Sequence, residues 1–147
     1  MATYQQGAFK QGSNPSEYGT DVGYAVFARS TVLQAPAATT GAANVDATIT
    51  IPAGCVILAI YADSSVAWTA SGTVGITGGI TAGGTEYVSS FDGKTVTRGP
   101  TAAFTAAQLG AMAAPASTSM VFRAAVSAAS AGYVGTTKVT VLYAPLS

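Results

Sequence analysis

The side chains of this 147-residue chain that could do chemistry are few, because it contains no histidine. That one fact removes the commonest general base, most catalytic zinc sites and every Ser-His or Cys-His pair. Six carboxylates remain: Glu17, Asp21, Asp46, Asp63, Glu86 and Asp92. A glycosidase needs two of them facing each other across a cleft, and Asp63 with Glu86 is the pair to weigh. Both fall where strands end, so solvated strand-end acids are the simpler account. Cys55 has no sequence neighbour able to lower its pKa, which suits a small buried hydrophobe better than a nucleophile. As the only cysteine it excludes an intrachain disulfide. The run GITGGITAGG lacks the Lys-Ser/Thr of a phosphate loop and opens no helix, so its glycines read as turns. A calcium loop is absent, and Asn14-Pro15-Ser16 fails as a glycosylation site because proline occupies its middle position. The expectation is a non-enzyme with no metal and no cofactor.

Binding chemistry is almost as sparse. Arg29, Arg98, Arg123 and Lys138 are scattered singly, and six basic residues cancel six acidic ones. Neither nucleic acid nor an anionic membrane is therefore expected as a partner. Trp68 with Tyr61 and Tyr87 forms either a carbohydrate-stacking platform or part of the core. The uncharged stretches Ser64–Thr85 and Gly99–Phe122 are broken by Gly or Pro and read as no membrane span. The N-terminal residues carry no secretory signal, so synthesis in a cytoplasm is expected. Charged residues make up only 8% of the chain, against roughly 25% in soluble domains. An exterior built of Thr, Ser, Ala and Gly suits either burial in an assembly or a low-charge β domain.

The elements that would carry these residues are strands. In Val45–Ile51, Val45, Ala47, Ile49 and Ile51 alternate with Asp46, Thr48 and Thr50, the two-residue period of a half-wet strand. Cys55–Tyr61 is apolar at every position, which predicts a central strand covered on both faces. Tyr24–Leu33, Met120–Ser127 and Lys138–Tyr143 also read as strands. Two brief ones are expected within Thr73–Thr85, and Asp92-Gly93 signals a hairpin between Glu86–Phe91 and Lys94–Arg98. Gln34–Asn44 reads as a loop. Phe104–Met112 is the one helix, with Thr105 and Gln108 spaced as a capping box and Phe104 placed to staple onto Leu109. About eight short strands with Gly/Pro turns predict an all-β sandwich or barrel over residues 24–147. Residues 1–23 have no period and form either a flexible tail or an extended arm whose Tyr4, Phe9 and Tyr18 dock on a neighbour.

The order ITIPAGCVILAIYAD, a Ser/Thr/Ala segment with Trp68, GTVGITGG, EYVSSF and a closing ASAGYVGTTKVTVLYAPL resembles a group of small structural proteins of tailed bacteriophages. The resemblance rests on Pro52-Ala53-Gly54, Val56–Asp63, Gly72-Thr73 through Gly75, and Ala129–Gly132 with Val139, Val141 and Tyr143. It spans about residues 45–143, while the arm and the helix have no counterpart in it. It implies a jelly-roll-like antiparallel sandwich, a capsid decoration (cement) protein on the head exterior, the major capsid protein as partner and a homotrimer. Tail, fibre or adaptor components look similar, and a carbohydrate-binding module is the reading outside that group.

Overall fold

The computed structural model describes residues 26–36, 41–100, 104–113, 119–129 and 131–145. Its strands are β1 (Phe27–Gln34), β2 (Gly41–Thr50), β3 (Cys55–Val66), β4 (Val74–Gly79), β5 (Val88–Asp92), β6 (Arg98–Pro100), β7 (Ser119–Ala129) and β8 (Thr136–Pro145). Among the described residues one helix occurs, α1 (Ala106–Ala113), between β6 and β7. Two antiparallel four-stranded sheets form, ordered β1-β8-β3-β6 and β2-β7-β4-β5. Only β4 and β5 are both consecutive and paired; every other connection crosses between the sheets. That interleaving of two Greek keys is the jelly roll, as expected.

Alternation placed most strands correctly. Ile49 of β2, Met120, Phe122, Ala124 and Val126 of β7, and Val139, Val141 and Tyr143 of β8 all point into the core between the sheets. The polar residues between those of β2 stay exposed.

The doubly apolar strand has one face in the core, as expected, and within a single subunit no layer of the described residues covers the other. In β3 the pairing with β8 slips between Ile57, opposite Tyr143, and Ala59, opposite Leu142. Leu58 is the extra residue of this bulge, so the inward phase moves by one position across it. Cys55 and Ile57 point inward before the bulge, and Ile60, Ala62 and Ser64 after it. The bulge sets which residues are inward, and it leaves the apolar side chains of Leu58 and Tyr61 on the outer face, open in the single subunit.

Several boundaries also move. β1 starts at Phe27, and Tyr24 lies outside the described residues. β2 reaches back to Gly41, into the expected loop, and Thr73–Thr85 holds one strand and a turn in place of two strands. The strands on either side of Pro52-Ala53-Gly54 are not partners: β2 pairs with β7 and β3 with β8. Asp92-Gly93 likewise makes no hairpin, since β5 pairs with β4 and β6 with β3 in the other sheet. The Asp92 carboxylate accepts from the Lys94 amide at 2.9 Å and the Thr95 hydroxyl at 3.3 Å. Those bonds make the tight turn that its residue types predict, but the chain emerging from it crosses the sandwich.

The capping box is present: the Thr105 amide donates to Gln108 Oε1 at 3.0 Å, and the Gln108 amide to Thr105 Oγ1 at 3.2 Å. Such a cap contributes about 1 kcal/mol, too little to hold eight residues helical in water. The rest comes from tertiary contacts. Gln108 Nε2 donates to the Thr85 carbonyl at 3.0 Å and to Ser89 Oγ at 2.7 Å, and Met112 is buried. Leu109, the expected staple, is 53% exposed, while Phe104 packs against the core.

Candidate assembly surface

The chemically capable residues are dispersed or used for structure. Asp63 lies on β3, 3.2 Å from Arg98 Nη2. Glu86 precedes β5 of the opposite sheet, where its Oε2 accepts from the Ile80 amide at 3.2 Å. The two acids therefore hold separate local partners on different sheets. Cys55 is a free, buried thiol. No cluster of three potential metal-ligating side chains occurs among the described residues. No helix among them is long and apolar enough to cross a membrane.

The carbohydrate platform does not form. Trp68 and Tyr87 are buried, and only Tyr61 reaches solvent. Trp68 closes one end of the sandwich beside Tyr133, with ring centroids 6.3 Å apart. Its Nε1 donates to Thr137 Oγ1 at 3.0 Å, and Ser64 Oγ lies 2.9 Å from the same hydroxyl. Burial, and next the charge of Glu86, pushes the Tyr87 phenol above its usual range; it is a core residue.

Of the glycines of GITGGITAGG, Gly83 makes the expected turn at a φ of +83°, while Gly78, Gly79 and Gly84 serve close packing. A Cβ on Gly79 would come within 2.5 Å of the Gly84 backbone, and one on Gly78 within 2.6 Å of the Phe122 ring. The segment after β4 folds back over its own strand, with Glu86 tying down its start and Arg123 lying along Gly83.

What remains is a contrast between the two outer sheet faces. On β2-β7-β4-β5 the outward residues include Asn44, Asp46, Thr48, Arg123, Thr77 and Ser127. Arg123 grips Asp46 with two bonds, Nε to Oδ1 at 2.7 Å and Nη2 to Oδ2 at 2.8 Å. These bonds hold the Asp46 carboxyl below its usual value against the opposing effect of burial. On β1-β8-β3-β6, antiparallel partners that share the outer face include Val32 with Lys138, Tyr61 with Thr140, Ala59 with Leu142, and Val66 with Thr136. Val32, Leu58, Tyr61 and Val66 there are 49%, 48%, 39% and 43% exposed. Its charges form one group, Asp63, Arg98 and Lys138. The face has no mark in the sequence of any one strand, because the bulge at Leu58 decides which apolar residues of β3 look outward. Tyr4, Phe9 and Tyr18 lie outside the described residues.

No protein-family model matches the chain, and no curated protein matches it. Among solved structures the fold is similar to that of a chain described as "Cyanophage Pam1 capsid asymmetric unit", at a TM-score of 0.57 and 17% identity. The match covers 97% of this chain and 100% of that one. At that identity the likeness is one of fold.

Proposed function

We propose that the protein is a non-enzymatic structural component of a virion, and within that class a decoration (cement) protein on the head exterior. In this reading it sits where major capsid subunits meet, as a homo-oligomer with three-fold symmetry favoured, and adds contact area across their seams. Tyr4, Phe9 and Tyr18 are the anchors of its N-terminal arm. The observation that carries the reading is the apolar outer face of β1-β8-β3-β6, where four large apolar side chains lie open. Large apolar side chains left open on one sheet face, around a single charged group, suit a face that meets another protein. The full-length likeness to a capsid chain and the 8% charged fraction support it. Sparse charge lets subunits pack closely without stripping water from unpaired ions. A multimer touching several seams at once gains effective concentration without strong single contacts.

Purified protein added to capsids of the encoding virus that lack it is expected to pellet with them, saturate at a fixed number per capsid, and raise their melting temperature. Protein that stays in the supernatant at every concentration rules the decoration role out. Pelleting with isolated tails and not with heads reassigns it to the tail.

A further inference from the structure

We infer that the outer face of β1-β8-β3-β6 receives the N-terminal segment, residues 1–25, of a second copy of this chain. The inference rests on the assembly half of the proposed function and names what covers the face.

The face and the segment match in chemistry. Four exposed apolar side chains surround one charged group in which two cations, Arg98 and Lys138, accompany one anion, Asp63. The segment spaces Tyr4, Phe9 and Tyr18 along polar, Gly-rich chain, and its charged side chains are one cation, Lys10, and two anions, Glu17 and Asp21. An occupant of this kind buries rings on the apolar positions while leaving few ions without water. A strongly charged partner would strand its ions there.

Reach and direction favour a neighbour. The segment joins β1 at its first residue, Phe27, which pairs with Tyr143 near the end of β8. Continued from there along the strand axis, the chain leaves its own sheet at that edge. To cover its own outer face the chain would have to turn back on itself within residues 1–25, whereas a neighbour's face needs no such turn. Extended, 25 residues span about 80 Å, roughly twice the length of the 12-residue β3 at about 3.3 Å per residue. That is ample to cross between adjacent copies. Each copy then gives one segment and receives another, the arrangement by which a closed ring satisfies every subunit alike.

The test is thiol alkylation of the full-length protein, in which Cys55 is buried. Leu58→Cys places a thiol on the face, with Val32→Cys as the second site should the first variant misfold. Thr48→Cys on the opposite sheet is the exposed control. The expected result is an oligomer in gel filtration whose Leu58→Cys thiol reacts about tenfold more slowly with a maleimide than Thr48→Cys, as when a covering segment is off about a tenth of the time. Adding Tyr4→Ser, Phe9→Ser and Tyr18→Ser together should give a monomer in which both thiols react alike. Three results overturn the inference: equal rates in the full chain, slow labelling that survives the triple substitution, and slow labelling within a monomeric peak. The last would mean that the chain covers itself. Capsid binding is scored separately, so the virion reading can fail while arm exchange stands, or the reverse.

Discussion

The two outer faces of this sandwich are built from similar strands and treat water in opposite ways. The face of β2-β7-β4-β5 carries Asn, Asp, Thr and Arg between inward apolar residues, and its own Gly-rich segment folds across part of it. The face of β1-β8-β3-β6 leaves Val32, Leu58, Tyr61 and Val66 open. Chance scatter would spread exposed apolar residues over both sheets. Within the sheets, the large apolar residues left open on an outer face all belong to β1 and β3 of one sheet, which is what the proposed assembly role would require. A chain with so few charges places its polar side chains on one outer face and leaves the other to apolar ones.

That contrast breaks most visibly under an added charge. Leu58→Asp should weaken self-assembly at least about 100-fold, since the carboxylate would be buried without a partner. The melting temperature should move by no more than about 2 °C, because the position is exposed in the isolated subunit. Thr48→Asp on the other sheet should change assembly by less than about twofold. Sedimentation equilibrium with thermal melting separates the two, and equal losses at both positions would erase the distinction between the faces.

A smaller effect sharpens the claim that the polar sheet roofs itself. Gly79→Ala drives a Cβ to within 2.5 Å of the Gly84 backbone, which cannot rotate away. The loss should be about 1–3 kcal/mol, or about 3–10 °C in melting temperature at this size. Gly75 projects from the same side of β4, and its Cβ would stand 3.1 Å from Ser90 Oγ, the end of a side chain that can turn. Gly75→Ala should cost less than about 1 kcal/mol. Equal melting temperatures for the two variants would mean that the Gly79–Gly84 contact carries no weight.

How much of this was legible in the sequence follows from how local each feature is. The alternation of Ile49 and Ile51, or of Met120, Phe122 and Ala124, is a property of neighbouring residues, so those strands and their inward faces were readable. The same holds for the box joining Thr105 and Gln108. The bulge at Leu58 was not, because it exists only relative to Tyr143 and Leu142 on β8, some 85 residues away. Without it, strict alternation would carry the inward set of Cys55 and Ile57 on to Ala59 and Tyr61, where the strand turns Ile60 and Ala62 inward. Asp92-Gly93 shows the same divide: the residues specify a tight turn, while the destination of each arm is set by the sandwich. Trp68 was readable as core or platform, and the hydroxyl of Thr137 beneath its Nε1 decided for the core. The outer face of β1-β8-β3-β6 combines side chains of several strands, so it had no signature in any one stretch.

The smallest expected effect concerns the ion pair that marks the polar face. Arg123 holds the Asp46 carboxyl below its ordinary value of 3.8 chiefly through their hydrogen bonds. A carboxyl lowered in the folded state binds protons less readily there than in the unfolded chain. Its contribution is therefore fully present above pH 3.8 and is lost as the pH falls through the lower folded value. The pair is partly exposed, so screening by water reduces it to a few tenths of a kcal/mol. In denaturant titrations Asp46→Asn should be less stable than the natural chain by that amount at pH 6, and the gap should narrow as the pH falls below 3.8. High salt at pH 6 should narrow it as well. A gap that keeps its size in acid would show that the two bonds matter through geometry alone, and that the polar face does not depend on its charge.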